Sequence, residues 1–160
     1  SMVDASLRAT ILESLHRLYT TFGISFIYIT HDLTTAYQIT DSLVILYHGT
    51  VAEAGPVEQI IQQPMHPYTK ELIRSIPVPD PALGWLDEEV AESDDENRAD
   101  AGPGCRYAGR CVDAMPRCRL ETPALYQTDS RRACACFLHE ESPSLKQGGD
   151  LAALFTNGTT

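Results

Sequence analysis

No stretch of the sequence is apolar for long enough to span a membrane, and no signal-peptide pattern opens it. Cysteine is absent outside residues 105–136, so the five thiols do not staple the chain at large. Clustered in this way they point to a local metal or cluster site, or to local disulfides. Positive charge is scarce as well: 12 Lys and Arg stand against 22 Asp and Glu, for a net charge of −10. A negative surface argues against a general nucleic-acid partner. Most of that imbalance is local, because residues 86–100 hold eight acidic groups and Arg98, which is −7 of the −10. The 160 residues also contain no Gly-x-x-x-x-Gly-Lys-Ser/Thr phosphate cradle.

What is present divides unevenly. The periodic apolar signal is concentrated in residues 5–76. Leu7, Ile11, Leu12, Leu15 and Leu18 recur at helical spacing, which predicts an amphipathic helix over 4–22, with Asp4 as a cap and Gly23 as the stop. Ile24 to Ile29 is short, apolar and rich in β-branched and aromatic residues, the composition of a strand buried on both faces. Thr30-His31-Asp32 breaks it. Leu33–Ile39 reads as a short helix, and Ser42–Tyr47 and Thr50–Ala54 as strands joined by a tight His48-Gly49 turn and closed by Gly55-Pro56. Another short helix is expected over Val57–Gln62, and one or two helical turns between Tyr68 and Ile76. This order predicts the trailing edge of an α/β sheet.

Beyond Pro77 the composition changes. The acidic stretch 86–100 is expected to be a mobile linker. Residues 101–139 hold all five cysteines and too few aliphatic side chains for a self-supporting core, so a staple is expected there. A short helix is expected at Leu151–Phe155.

Two constellations carry candidate chemistry. His31 follows an apolar strand, where α/β sheets present ligand-contacting groups, and its imidazole could donate to a phosphate oxygen. The plainer alternative makes His31 a polar residue ending a strand and Asp4 an ordinary helix cap. Among the cysteines, Cys105, Cys111 and Cys118 are followed by Cys134 and Cys136. Zinc sites favour ligand pairs two to four residues apart, whereas iron–sulfur clusters tolerate wider loops. Arg106, Arg110, Arg117, Arg119, Arg131 and Arg132 could offset a cluster's negative charge. The residues alone leave cluster and zinc both open.

Several segments resemble the ATPases of ABC transporters, specifically the oligopeptide/dipeptide-importer branch. Ser1-Met2-Val3-Asp4 resembles the D-loop, and Ile29-Thr30-His31-Asp32-Leu33 the switch-histidine segment. Asp41 to Gly49 followed by Val51 to Gly55 resembles the hairpin that closes the catalytic domain. Pro64-Met65-His66-Pro67-Tyr68 resembles the His-Pro-Tyr segment of the peptide-importer branch; read locally it is a rigid turn into a helix. Gly104-Cys105 through Cys118, with Cys136-Phe137-Leu138, resembles the C-terminal segment that holds a [4Fe-4S] cluster in several members.

The resemblance implies a P-loop-type ABC ATPase domain, of which residues 1–62 would be the last part, followed by a His-Pro-Tyr extension (63–85), the acidic linker (86–100), a small irregular cysteine-rich segment (101–140) and a tail (141–160). It assigns His31 to catalysis through the γ-phosphate, Asp4 with His31 to the nucleotide site of an ATPase dimer, and Cys105, Cys111, Cys118 and Cys136 to the cluster, Cys134 being extra. ATP with magnesium would be the parent protein's cofactor. Transmembrane permease subunits and a second ATPase subunit would be its partners, a peptide-binding protein an indirect one, and the cytoplasmic face of the membrane its place. The phosphate cradle and magnesium carboxylates would precede Ser1 in family order, so the chain is expected to be a C-terminal fragment without ATPase activity. An iron-sensing or redox regulatory module and a zinc-stabilised interaction domain are the alternatives.

Overall fold

A computed structural model describes residues 5–76, 102–145 and 150–155, and the backbone divides into two compact units, Ser1–Asp41 and Ser42–Thr160. Asp4 and the acidic stretch 86–100 lie outside the described residues. Among the described residues no helix is long and apolar enough to cross a membrane.

In the first unit, α1 spans Ala5–Phe22 and ends at Gly23, whose positive φ of 66° suits a helix terminator. The periodicity predicted this helix, yet Leu7, Ile11, Leu18 and Phe22 remain exposed. The strand expected at Ile24–Ile29 is not formed. The segment has no strand pairing, and Ile27 and Ile29 are 95% and 93% exposed. Its composition is that of a doubly covered strand, but no neighbouring strand among the described residues hydrogen-bonds it. Helix α2, Leu33–Ile39, forms as expected and is capped by Asp32.

The second unit is built on a four-stranded antiparallel sheet of order β1-β2-β4-β3. Strands β1 (Ser42–Tyr47) and β2 (Thr50–Pro56) form the expected hairpin. His48 and Gly49 both have positive φ, 44° and 78°, the backbone of a two-residue turn that matches strand twist. Leu43 and Ile45 point inward while Val44 and Leu46 are exposed, the alternation of a one-sided edge strand. β2 is different: Ala52, Glu53, Ala54 and Gly55 are all buried, because β2 lies between β1 and β4 and is covered on both faces.

Helix α3 (Val57–Gln62) follows directly and buries Val57 and Ile60. Helix α4 (Pro67–Arg74) starts at a proline, whose missing N–H is harmless in a first turn, and the Nδ1 of His66 accepts the Tyr68 N–H at 3.0 Å.

The cysteine-rich segment is not wholly irregular, contrary to the expectation. It contributes β3 (Tyr126–Asp129) and β4 (Arg132–Cys134), with 3₁₀ turns at Pro116–Arg119 and Phe137–His139. β4 pairs with β2 through Glu53 with Cys134 and Ala54 with Ala133. The segment is thus stitched into the same sheet as the β1–β2 hairpin. Ala54, Ala133 and Leu154 form the core there, with Val51, Leu125, Leu145, Leu151 and Phe155 packed around them. The helix expected near residue 151 is α5, Asp150–Ala153.

Candidate functional site

In the first unit, the segment carrying His31 is a tight capped turn. Asp32 N–H donates to Thr30 Oγ1 at 3.0 Å, and Asp32 Oδ1 and Oδ2 accept from the Thr35 N–H and hydroxyl at 3.1 and 2.5 Å. Both neighbours of His31 are therefore held by short-range bonds while its imidazole is exposed to solvent. Among the described residues the ring has no hydrogen-bond partner, so the turn leaves it available to an external acceptor.

The cysteine site is organised by backbone approach. The Cys105 N–H donates to Cys118 O at 2.7 Å. Gly104 permits this: a Cβ there would stand 2.3 Å from Cys118 O and 2.6 Å from the Arg119 carbonyl carbon. A tight turn then returns the chain, with Ala108 N–H donating to Cys105 O and Cys111 N–H to Tyr107 O, both at 3.0 Å. Ala108, Cys118 and Phe137 form a small buried cluster against which Cys105 and Met115 pack. Arg117 ties the Cys118 turn to the Cys136 segment. Its guanidinium lies 4.3 Å from the Phe137 ring centroid and 2.6 Å from Glu140 Oε2.

Cys105 packs against the buried cluster that contains Cys118, and the four thiols lie within electrostatic reach of one another. Burial pushes Cys105, Cys111 (to about 11) and Cys136 up, and neighbouring thiols add to it: Cys118 acts on Cys105, Cys136 and Cys105 on Cys111, and Cys105 and Cys118 on Cys136. Backbone N–H groups oppose that rise, from Tyr107 and Ala108 to Cys105, Asp113 to Cys111, and Leu138 to Cys136. Cys118 Sγ accepts the Met115 N–H at 3.4 Å. Each of the four sulfurs therefore has a backbone donor ready for a thiolate. Cys134 is set apart: it is fully buried in β4, and burial, then the charge of Glu53, pushes its thiol up with no backbone donor opposing. Among the described residues, no three His, Cys, Asp or Glu side chains stand together closely enough to hold a metal ion. All five thiols are free.

Sequence reasoning offered six arginines as counter-charges, and three are committed elsewhere. Arg132 is buried with Glu53, Arg110 pairs with Glu71, and Arg117 with Glu140. The partners Glu53 and Glu71 were missed. Glu53 had a signal, since a lone carboxylate inside Val-Ala-Glu-Ala-Gly requires a buried partner. Glu71, on an ordinary polar helix face, had none.

His66 heads α4 at 3% exposure, and burial depresses its pKa from 6.5 to about 4 against the opposing charge of Glu53. The folded state therefore binds this proton less well than the unfolded state does. The resulting stability is full above pH 6.5 and is lost as pH falls toward 4, on the order of 3 kcal/mol over that window. His66→Asn, which keeps a capping acceptor, is expected to flatten this part of the urea-midpoint-against-pH curve. An unchanged slope would mean that His66 titrates normally.

With this geometry in place, the relatives of the chain become informative. Residues 52–118, from inside β2 to the third cysteine, match the family described as "Oligopeptide/dipeptide transporter, C-terminal region". The chain belongs to the oligopeptide/dipeptide branch of the ABC-transporter ATP-binding proteins. It is 37% identical over 140 residues to the oligopeptide transport ATP-binding protein AppD of Bacillus subtilis (strain 168), an overlap of 87% of this chain and 42% of that protein. It is 37% identical over 144 residues to the probable peptide ABC transporter ATP-binding protein y4tS of Sinorhizobium fredii, covering 90% of this chain and 40% of that one. The dipeptide transport ATP-binding protein DppD of Caldanaerobacter subterraneus subsp. tengcongensis is 32% identical over 146 residues, 91% of this chain and 44% of that protein. The chain thus spans about two fifths of the length of the curated relatives it matches.

Proposed function

We propose that this chain is the C-terminal part of the ATP-hydrolysing subunit of an oligopeptide or dipeptide importer, and that its four neighbouring thiols hold a [4Fe-4S] cluster. The observation that carries the first part is the family match over residues 52–118, which runs from inside the hairpin's second strand through the His-Pro-Tyr segment to three cysteines. In the structure those elements belong to one folded unit.

The uncovered apolar surface of the first unit supports the same reading. Ile24 to Ile29 has the composition of a central strand and the exposure of an unpaired one, and α1 shows its apolar face to solvent. The remaining length of an ATP-binding domain, as the relatives carry it, would supply the strands and helices that cover both. Asp4 and His31 would then border a nucleotide held between two ATPase subunits. The subunit would sit peripherally on permease subunits at the cytoplasmic face of the membrane, passing the hydrolysis cycle to them.

What supports the second part is the donor set, four cysteines at the positions where the family resemblance puts a cluster. A tetrahedral zinc needs its sulfurs gathered at about 2.3 Å from one centre, and among the described residues no three potential ligands converge in that way. A cubane places its ligands farther apart than a single zinc ion does. Cys105, Cys111, Cys118 and Cys136 would hold it, and it would supply a rigid cross-link or an electron-accepting centre.

Two measurements test the ATPase reading. The 160-residue chain is expected to show no ATP turnover, having no phosphate cradle. Joined to the remaining ATP-binding portion, His31→Ala should lower turnover by about 10²-fold with ATP affinity largely kept. Turnover by the chain alone would overturn the expectation drawn from the missing phosphate cradle, and a normal rate in the His31→Ala variant would return His31 to the role of a polar turn residue.

A further inference from the structure

One carboxylate joins the His-Pro-Tyr helix to the first cysteine loop. The Tyr107 hydroxyl donates to Glu71 Oε2, and the Arg110 guanidinium donates to Glu71 Oε1 at 3.0 Å. Tyr107 and Arg110 both lie between Cys105 and Cys111, whereas Glu71 lies in the middle of α4. Two donors from one short loop thus converge on the two oxygens of a single side chain 36 and 39 residues away.

The same loop is held from a second direction. The Tyr107 ring is 3% exposed and packs at centroid distances of 5.5 Å on Tyr68, 5.8 Å on His66 and 5.2 Å on Tyr47. Tyr68 belongs to α4, His66 caps it, and Tyr47 ends β1. Tyr107 is therefore gripped at ring and hydroxyl by the His-Pro-Tyr segment. Its backbone is also part of the cysteine site: Tyr107 O accepts the N–H of Cys111 and of Arg110, and the next residue's N–H, that of Ala108, donates to Cys105 O, all at 3.0 Å. Moving Tyr107 moves both ends of the loop.

We propose that Glu71 is a positioning residue for the thiol site, setting the Cys105–Cys111 loop through Tyr107 and Arg110, so that occupancy of that site and the order of α4 are coupled. This rests on the reading of the thiols as a cluster site. As a surface ion pair alone, Glu71–Arg110 would be worth at most about 1 kcal/mol. Its consequence lies in orientation: outer contacts that fix ligand loops tune the affinity and electronics of what the ligands hold. The coupling also gives the branch-marking His-Pro-Tyr segment a physical task, linking the cysteine loop to the β1–β2 hairpin through Tyr68, His66 and Tyr47.

The test uses the whole chain, prepared without oxygen, as wild type, Tyr107→Phe, Glu71→Gln, Glu71→Ala and the double variant Tyr107→Phe/Glu71→Ala. Tyr107→Phe keeps the ring packing and removes only the hydroxyl, so it reports even if Glu71→Ala folds poorly. Three quantities are read: survival of iron against a chelator, the electron paramagnetic resonance spectrum of the reduced cluster, and hydrogen exchange of the amides of residues 67–76 with and without iron. Tyr107→Phe and Glu71→Ala are expected to shorten iron survival about tenfold and to shift the spectrum, which a purely structural contact would not do. Glu71→Gln, still an acceptor, should restore most of it, and the double variant should be no worse than the poorer single. Removing iron from the wild type should speed exchange in α4. Unchanged iron survival and spectra in Tyr107→Phe and Glu71→Ala, or α4 exchange indifferent to iron, would overturn the coupling while leaving the cluster in place. A folded wild type with no iron or sulfide would overturn the cluster reading and this inference together, and that result is visible before any variant is made.

Discussion

Anaerobic preparation of the wild-type chain is expected to yield about four iron and four sulfide per chain, and four of the five Cys→Ser variants are expected to lose nearly all of it. The four are Cys105→Ser, Cys111→Ser, Cys118→Ser and Cys136→Ser; Cys134→Ser should keep its iron. Cys134 pairs with Glu53 across one side of β4 and with Tyr126 across the other, and its side chain is fully buried. Cys136 lies two residues on, just before the 3₁₀ turn Phe137–His139, half-buried and within electrostatic reach of Cys111, Cys105 and Cys118. Cys134→Ser instead buries a hydroxyl, with a stability loss of about 1–3 kcal/mol. Gly104→Ala should imitate the ligand variants without touching a sulfur, since its Cβ would drive the Cys105 backbone away from Cys118 O. Iron and sulfide analysis with visible absorbance reads all six variants. Loss in Cys134→Ser with retention in Cys136→Ser would reverse the ligand assignment, and stoichiometric zinc without sulfide in the wild type would replace the cluster.

The parts of this fold that sequence could reveal are those whose causes are local. Helix α2 follows from Asp32 as a cap, the β1–β2 hairpin from alternating β1 residues and a turn that admits positive φ, and α4 from Pro67. The misses are all consequences of distant partners. Ile24–Ile29 reads as a strand because its composition is that of one, but a strand exists only where a neighbour pairs with it. β3 and β4, Tyr-Gln-Thr-Asp and Arg-Ala-Cys, are too short and too polar to carry a period-2 signal. They are strands because β2, some 80 residues earlier, offers them an edge. The cysteine site divides along the same line. Spacing left cluster and zinc both open, and only the family resemblance singled out Cys105, Cys111, Cys118 and Cys136, with Cys134 as an extra. The arrangement that holds their loops, with Gly104 against Cys118, Tyr107 on Glu71 and Arg117 on Phe137 and Glu140, depends on contacts that no local pattern encodes.

The largest stability effects are expected at the buried pair Arg132–Glu53. The Arg132 guanidinium enters the core at 3% exposure and meets Glu53 at 0%, with Nε and one terminal nitrogen 3.1 and 2.6 Å from Glu53 Oε1. A terminal nitrogen also donates to Gln63 O. Glu53 accepts two further bonds, from the Met65 N–H at 3.1 Å and the His66 N–H at 2.9 Å. One buried pair therefore joins β2, the backbone entering α4, and β4. A buried pair of this kind need not be stabilising relative to an apolar substitute, because both ions lose their hydration. Removing one member is another matter, since the survivor is left charged in the core. Arg132→Met is expected to lower unfolding stability by about 3–5 kcal/mol. Glu53→Met should do at least as much, because it strands the guanidinium and frees two backbone N–H groups. Combining them removes both charges, and Glu53→Met/Arg132→Met is expected to be more stable than either single variant, an interaction of about 2 kcal/mol or more in the double-mutant cycle. Urea unfolding followed by far-ultraviolet circular dichroism reads the cycle. Additive losses, or a loss below about 1 kcal/mol for Arg132→Met, would show that water reaches Glu53 and that the pair does not join the cysteine-rich segment to the hairpin.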